Sequence, residues 1–351
     1  MRRREFLALL GAGSAAAGLG CRRRTLPVEP PAPREPTSRP AAPPASRPAS
    51  LLQPDHPEEV LPPAEAPLDN MLSGIRRIEP KGVELVEVRG QDAAKMVRTG
   101  IEAIGGMRRF VDRGSRVVLS PNFAWARPAG SGVTTDPAVV HEVILLCQEA
   151  GAREVICIDN TTDEVPRAYR INGAYHALAG TRARLLSPAS AEQYVRIGDF
   201  NRFELHRRLS WQAVPQALLR CETFISLPVF KHHREVGVTG AIKKQMGCIW
   251  RREAYHKVDL PGCLAELAAT LRPTLVVTDA RRILTQNGPD GPGKAKQVDR
   301  LLVSTDPVLA DAHACRYLDL EPGAVPYLDR AARLGAGSAE LRKDRIEQVV
   351  I

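Results

Sequence analysis

The sequence predicts an α/β fold with a mostly parallel sheet, helices on both faces and Rossmann-like layering. From about residue 82 onward, short β-branched runs alternate with longer helical stretches, which indicates strands paired in parallel. Apolar runs such as 155–158 are nearly continuous, as in strands that are covered on both faces. Two helix starts place Asp before Pro, at Asp136 and Asp306, where Asp suits the cap and Pro the first helical position.

The predicted elements follow this alternation along the chain. The strands are apolar, β-branched runs at 83–88, 116–120, 154–159, 183–186, 223–227, 274–279, 301–304 and 346–351. The helices are longer periodic stretches at 92–111, 138–150, 212–220, 262–271 and 308–317. The two Asp-Pro helix starts reflect either convergent capping or two similar halves of the fold. No regular repeat of 20–50 residues is visible, which argues against a solenoid.

Residues 1–21 are predicted to be a twin-arginine export signal. The run Arg3-Arg4-Glu5-Phe6-Leu7 matches such a signal, and a short Ala- and Gly-rich stretch follows it. That stretch is shorter than the roughly 20 residues that a helix needs to cross a bilayer core. We therefore expect no membrane span in the mature chain, the twin-arginine translocation machinery as a partner, and a location in the periplasm or on the outer side of the cytoplasmic membrane. Cys21 is either lipidated after cleavage or lies near the cut of a soluble mature protein.

The rest of the chain divides into a linker and one predicted domain. Residues 22–70 are rich in proline, a composition that favours extended polyproline conformations over a packed core. Residues 80–351 form the predicted α/β domain. The formal net charge of the 351 residues is +9, but the basic residues are scattered and only 6 Tyr and 7 Phe are available for base stacking. This distribution argues against a nucleic-acid partner.

The most informative segment spans residues 225–247. An apolar run ends at Leu227, and titratable side chains and glycines follow at once. Because ligands of open α/β sheets lie where strands end, this segment predicts a site for a small anionic ligand. Lys231 and Lys243 would hold the anion as point charges, and His233 would transfer a proton.

Further ligand-binding residues are predicted in the glycine-rich turn of that segment and at other strand ends. Thr239 and Gly240 precede a helical segment whose N-terminal amides would favour an anion. Asn122, Asp159 and Asp279 each follow a predicted strand, so a parallel sheet would bring them to the same edge and let them orient the ligand. Each of these three could instead be a capping or turn residue.

The cofactor content is left open by the sequence. His233 and His256 are candidate metal ligands, and with Asp159 and Asp279 they could form a zinc or iron site. The 7 cysteines include no Cys-x-x-Cys pair, which argues against a cysteine-ligated iron–sulfur cluster. Cys147 and Cys157 fall in apolar patterns and should pack as small hydrophobic residues. Neither a nucleophile elbow nor a phosphate loop is present, so hydrolase and NTPase functions lose their main support.

Taken in order, several short motifs resemble the domain-of-unknown-function 362 family over roughly residues 83–320. They lie at 120–123, 134–137, 149–152, 158–159, 231–233, 237–243, 246–247, 288–289, 291, 306 and 311. The chain departs from the family pattern at two positions: His232 stands where Thr is usual, and Lys244 stands where Asn is usual. The cysteine-rich inserts of many members are also missing.

Two function classes are consistent with the sequence. The first is an exported enzyme that acts on a small anionic molecule at a Lys/His/Asp cleft. The second is a non-catalytic ligand- or metal-binding or assembly protein of the cell envelope.

Overall fold

A computed structural model describes residues 71–79, 82–209 and 212–351. The predicted export signal, the proline-rich linker and Cys21 lie outside these residues. The described residues fall within one unit, Pro54–Ile351.

Eight strands of the described residues form the main sheet, in the order β12-β1-β11-β10-β7-β2-β3-β4. They are β1 (Leu85–Arg89), β2 (Arg116–Pro121), β3 (Glu154–Ile158), β4 (Arg184–Leu186), β7 (Thr223–Leu227), β10 (Leu275–Leu284), β11 (Ala295–Ser304) and β12 (Ile346–Val350). Only β11 runs antiparallel to its neighbours in this sheet. The structure thus confirms the predicted α/β fold with a mostly parallel sheet.

Two short antiparallel hairpins lie outside the main sheet. One pairs β5 (Tyr194–Arg196) with β6 (Ala213–Pro215), and the other pairs β8 (Lys231–His233) with β9 (Gly237–Thr239). The second hairpin lies within the 225–247 segment, where the sequence suggested only a turn. It follows β7 after three residues and carries Lys231, His233 and Thr239.

Helices cover both faces of the main sheet. The helices of the described residues are α1 (Ala93–Ala103), α2 (Pro137–Ala150), α3 (Val165–Ile171), α4 (Ala174–Leu178), α5 (Glu204–Arg208), α6 (Gln216–Leu219), α7 (Ala241–Lys244), α8 (Glu253–Val258), α9 (Leu260–Thr270), α10 (Pro307–Ala314) and α11 (Leu328–Arg333). Helices α1–α4 contribute to one apolar core and α6–α11 to the other. Successive residues of β10 alternate between the two, since Val276 belongs to one core and Val277 to the other.

The predicted elements agree with the structure where local sequence signals are strong. The strand 223–227 has the predicted bounds, and Asp136 and Asp306 cap α2 and α10 as expected. The helix predicted over 92–111 ends earlier, at Ala103, because Gly105 and Gly106 adopt positive φ angles.

Two further predictions differ from the structure for reasons of tertiary contact. The strands predicted at 274–279 and 301–304 are longer, since β10 and β11, of 10 residues each, pair as an antiparallel hairpin with no helix between them. The region 212–220, predicted as one helix, is divided between β6 and the short helix α6. Pairing with β5, which the local sequence does not reveal, accounts for the strand.

The cysteines of the described residues are free and buried. Cys147 and Cys157 lie in the same apolar core, which confirms that they pack as small hydrophobic residues. None of the helices in the described part of the chain is long and apolar enough to cross a membrane.

Candidate functional site

A cavity of about 420 Å³ opens where the parallel strands of the main sheet end. Asn122 follows β2 directly, Asp159 follows β3, and the β8–β9 hairpin continues from the end of β7. Its volume lies in the range typical of small-molecule sites, and its position is the one expected for ligands of open α/β sheets. Its lining residues are Asn122, Ala124, Trp125, Asp159, Thr162, Lys231, His233, Arg234, Glu235, Thr239, Lys243, Lys244, Met246, Gly247, Arg252, Glu253, His256, Pro289 and Asp290.

Most of the residues that the sequence singled out line this cavity. Those that do are Asn122, Asp159, Lys231, His233, Thr239, Lys243 and His256. Gly240 and Asp279 lie outside its lining. The sequence analysis did not identify three lining residues, Glu235, Arg252 and Asp290. Glu235 lies within the 225–247 segment and Arg252 lies just beyond it, so their position in the chain could have indicated them.

The β8–β9 hairpin determines which side chains face the cavity. Lys231 pairs with Thr239 and His233 with Gly237 across its antiparallel ladder. Residues opposite each other in such a ladder share a face, as do residues two apart along a strand. His232 lies on the other face, where its Nδ1 accepts a hydrogen bond from the backbone N–H of Gly288 at 3.2 Å. The two adjacent histidines therefore have different surroundings.

Each carboxylate in the wall of the cavity has a basic partner. Asp290 pairs with Arg234 at 2.7 Å, Glu253 with Arg252 at 3.2 Å and Glu235 with His256 at 2.7 Å. Asp159 pairs with Lys244 at 3.0 Å. These pairs account for all the acidic side chains of the lining.

Lys244 and Asp159 form a buried ion pair in this wall. The Lys244 ammonium also donates to Oγ of Ser120 at 2.9 Å, and the backbone N–H of Phe123 donates to Asp159 Oδ2 at 2.6 Å. A Cβ at Gly247 would clash with both charged groups, so the close approach requires glycine. Lys244, which departs from the family pattern, thus neutralises the Asp159 carboxylate.

Lys231 and Lys243 lack a carboxylate partner in the described part of the chain. The Lys231 side chain is 1% exposed, and its Nζ donates to the backbone carbonyl of Val133 at 2.5 Å. The Nζ of Lys243 has Met246 Sδ as its neighbour at 3.4 Å. Burial, together with the neighbouring Lys243 charge, lowers the pKa of Lys231 to about 7, and burial lowers the pKa of Lys243 to about 8. Asp159 and Asp290 act on Lys231, and Glu235 acts on Lys243, only from beyond ion-pair distance, so no described carboxylate contacts either of these neighbouring cations.

His233 is positioned as a neutral hydrogen-bond donor. Its Nδ1 accepts from the backbone N–H of Glu235 at 3.2 Å, which leaves the proton of the neutral ring on Nε2. Burial and the nearby Lys243 charge lower the pKa of His233 to about 2. The histidine therefore stays neutral around pH 7, and Lys231 is better placed to exchange a proton there.

The two candidate metal ligands, His233 and His256, differ in how well they fit a metal site. A neutral imidazole binds a metal through a nitrogen that carries no proton, whereas Nδ1 of His233 is occupied and Nε2 carries the proton. His256 has its Nδ1 on the Glu235 carboxylate, an arrangement that leaves Nε2 able to bind a metal. Across the described ranges, no group of three or more His, Cys, Asp or Glu side chains is arranged to hold a metal ion. The zinc or iron site therefore stays a prediction, and the described residues do not form a complete set of ligands for it.

The N-terminus of α7 is occupied by a side chain of the protein. Asp311, on α10, accepts hydrogen bonds from the backbone N–H groups of Ala241 at 2.6 Å and Ile242 at 3.1 Å. Gly240 lies against this carboxylate, and a Cβ there would clash with it. Burial raises the pKa of Asp311 to about 7. Asp311 thus takes the place that the sequence suggested for the anionic ligand.

Asp279 is held in a separate cluster with Asp136 and Arg281. Its Oδ2 accepts from the backbone N–H of Asp136 at 3.0 Å, and its Oδ1 accepts from the N–H and Nε of Arg281 at 3.1 and 3.3 Å. Arg281 also contacts Asp136 Oδ2 at 2.5 Å. Both oxygens of the Asp279 carboxylate are thus hydrogen-bonded within this cluster, and they connect the start of α2 to β10.

The fold and this site define an α/β protein with a buried cationic cavity at the carboxyl ends of its parallel strands. The chain belongs to the family described as a domain of unknown function, DUF362, whose family model matches residues 117–316. This confirms the resemblance that the motifs indicated.

Known proteins that are similar to the chain include one relative in sequence and one solved structure. The thylakoid-associated protein sll1697 of Synechocystis sp. (strain ATCC 27184 / PCC 6803 / Kazusa) is 29% identical over 267 residues, which cover 73% of this chain and 80% of that protein. The lactate racemase apoprotein from Thermoanaerobacterium thermosaccharolyticum matches with a TM-score of 0.40 and 10% identity, over 73% of this chain. The match spans 61% of that solved chain.

Proposed function

We propose that the protein binds a small anionic molecule in the cavity, with the ammonium groups of Lys231 and Lys243 on the anion. The observation that carries this proposal is that these two cations lack a carboxylate partner among the described residues, while every acidic side chain of the lining has a basic one. Two like charges in a buried site destabilise each other, and an anion between them would relieve the repulsion.

We propose enzymatic proton transfer on this bound anion as the reaction class. Lys231 would donate the proton as a general acid, because the bound anion keeps its amine charged and burial makes that ammonium more acidic than an ordinary lysine. His233 would donate a hydrogen bond from Nε2 to the bound molecule rather than transfer a proton. The alternative is a binding or assembly protein that holds the same ligand unchanged for an envelope partner.

Native mass spectrometry of the purified protein, followed by mass analysis of the released ligand and elemental analysis, tests both proposals. We expect an organic anion that is consumed when the protein is incubated with candidate co-substrates. A ligand that stays unchanged through long incubation would favour the binding protein. A cavity that carries a metal ion with no organic anion would contradict the anion proposal.

Export through the twin-arginine machinery is a second proposal, which rests on the Arg3-Arg4 signal of residues 1–21. A relative named for its association with thylakoids is compatible with a protein handled at a membrane. Replacing both arginines by Lys should retain the protein in the cytoplasm, as measured by cell fractionation. In the exported fraction, a Cys21→Ser variant should move from membrane to soluble fraction if Cys21 carries a lipid, and should not move if the mature protein is soluble.

A further inference from the structure

Two polar atoms in the wall of the cavity have no hydrogen-bond partner among the residues that the structure describes. They are Oδ1 of Asn122 and Oγ1 of Thr239, whose side chains are 5% and 4% exposed. A buried polar atom without a partner costs about 1–3 kcal/mol, and native proteins leave few of them. These atoms indicate where a bound molecule would supply the missing partner.

Asn122 is held in place by its backbone. Its N–H donates to Oγ1 of Thr135 at 3.0 Å, and its carbonyl accepts from the N–H of Thr135 at 3.1 Å. The Thr135 hydroxyl in turn donates to the carbonyl of Leu227 at 2.7 Å. The ends of β2 and β7 and the start of α2 are thus tied together at this point. The amide of Asn122 is therefore presented to the cavity from a fixed backbone.

The Thr239 side chain lies on the same face of the β8–β9 hairpin as the Lys231 side chain. The two residues are directly opposite each other in the β8–β9 ladder, so their side chains share a face. Both residues also line the cavity, so a molecule with its anionic group on Lys231 can place other atoms near Thr239.

The chemistry of the missing partner follows from the atoms around it. A carbonyl oxygen such as Asn122 Oδ1 accepts hydrogen bonds and cannot donate them, so the ligand must bring an N–H or O–H group. A charged ammonium group on the ligand would be repelled by Lys231 and Lys243. A neutral hydroxyl avoids this repulsion, and Thr239 can also donate to it.

We propose that the cavity takes a hydroxylated small anion, in which the charged group lies on Lys231 and Lys243 and a nearby hydroxyl donates to Oδ1 of Asn122. This inference rests on the proposed anion-binding function and adds the class of ligand. Hydroxycarboxylates and hydroxyalkyl phosphates share the required chemistry.

Isothermal titration calorimetry with matched compounds tests the inference and separates the two sources. The carboxylate arm compares malate with succinate, which lacks the hydroxyl, and with aspartate, which carries an ammonium in its place. The phosphate arm compares glycerol 3-phosphate with propyl phosphate. We expect the hydroxylated compound of at least one arm to bind about tenfold or more tightly than its counterpart, and aspartate to bind no more tightly than succinate.

Two variants assign the preference to the named atoms. Asn122→Leu has a similar shape without the acceptor, and Thr239→Val removes the hydroxyl but keeps the β-branched side chain that suits β9. We expect the hydroxyl preference to fall to about twofold or less in Asn122→Leu and to weaken in Thr239→Val, with thermal unfolding showing that each variant folds. Thr239→Val provides the test should Asn122→Leu fail to fold.

Three outcomes would overturn the inference: equal affinity of the wild type for both members of each pair, no binding of any compound, or a preference that survives in both variants. Succinate and propyl phosphate report the proposed anion binding by itself, because they lack the hydroxyl. If they bind and lose affinity in a Lys231→Met/Lys243→Met variant, but no hydroxyl preference exists, the anion site stands and only the ligand class fails. If their affinity is unaffected by that variant, the anion proposal itself fails.

Discussion

The Asp279 cluster and the cationic cavity both lie just beyond the end of β7, but they differ in how a buried charge is compensated. Asp279 itself lies within β10 and does not follow a strand as predicted, because β10 continues to Leu284. In the cluster formed by Asp136, Asp279 and Arg281, each oxygen of the Asp279 carboxylate is hydrogen-bonded within the protein. In the cavity, Lys231 and Lys243 have a carbonyl and a thioether as their nearest partners. The comparison teaches that a charged side chain at this edge of the sheet indicates a binding site only when no oppositely charged group of the protein contacts it.

The same contrast exists inside the cavity between two buried lysines. Lys244 is 4% exposed and Lys231 is 1% exposed, so burial does not distinguish them. Lys244 has a carboxylate and a hydroxyl as partners, whereas Lys231 has neither. We therefore expect substitutions of these two lysines to change stability in opposite directions.

The largest effect is expected for Lys244→Met. Removing this ammonium leaves the Asp159 carboxylate buried without its counter-charge, which should lower the free energy of unfolding by about 3–5 kcal/mol. Urea denaturation measures this loss. The double variant Lys244→Met/Asp159→Asn should recover most of it, because neither partner is then left charged. A single variant as stable as the wild type would show that the pair is not structural.

A smaller loss is expected for Asp279→Asn. The substitution weakens the hydrogen bonds to Arg281 and the backbone of Asp136, and should lower the free energy of unfolding by about 1–3 kcal/mol. Affinity for succinate should stay within about twofold of the wild type, since Asp279 lies outside the lining of the cavity. A tenfold loss of affinity with unchanged stability would instead make Asp279 a ligand-binding residue, as the sequence suggested.

Lys231→Met should stabilise the ligand-free protein by about 1–3 kcal/mol at pH 7 or below, because it removes an unneutralised buried cation. The pKa of Lys231 is lowered from 10.5 to about 7, so between these values the unfolded wild type binds more protons than the native state. The wild type therefore gains stability as pH rises through this window. The advantage of the variant should shrink between pH 7 and pH 10, as followed by thermal unfolding. An advantage that grew with pH would contradict the assignment.

The smallest effect is a proton uptake on anion binding. Near pH 8 the amine of Lys231 is mostly neutral and that of Lys243 about half charged, since their pKa values are lowered to about 7 and about 8. A bound anion favours the charged forms, so binding at pH 8 should take up about one proton, and at pH 6 almost none. Calorimetry in buffers with different ionisation enthalpies measures this uptake. The same heat in all buffers at pH 8 would show that the lysines do not titrate with binding.

Much of the fold could be predicted because local signals determine it. The apolar run 223–227 and the Asp-Pro starts at Asp136 and Asp306 act within a few residues of themselves. The β5–β6 pairing depends on contacts between distant segments and left only a weak local pattern. The β8–β9 hairpin was missed since each of its strands is three residues long.

The candidate site was predicted in part for a similar reason. Sequence order brings Lys231, His233 and Lys243 into one segment, and the parallel sheet brings Asn122 and Asp159 to the same edge. Which charges are neutralised depends on pairs far apart in the chain. Asp311 caps α7 from a position about 70 residues away, and Lys244 pairs with Asp159 across 85 residues. No local pattern encodes these partners.

The central claim is that Lys231 and Lys243 hold the ligand because the fold leaves them unneutralised. Titration calorimetry with succinate and propyl phosphate tests it on Lys231→Met/Lys243→Met beside a control, Lys95→Met/Lys294→Met, whose two lysines are exposed and lie outside the cavity lining. At pH 6, where Lys231 and Lys243 are both mostly charged, the two variants lose nearly the same net charge. We predict that the cavity variant loses about a hundredfold or more in affinity while the control stays within about twofold of the wild type. Equal affinities in the two variants would contradict the claim.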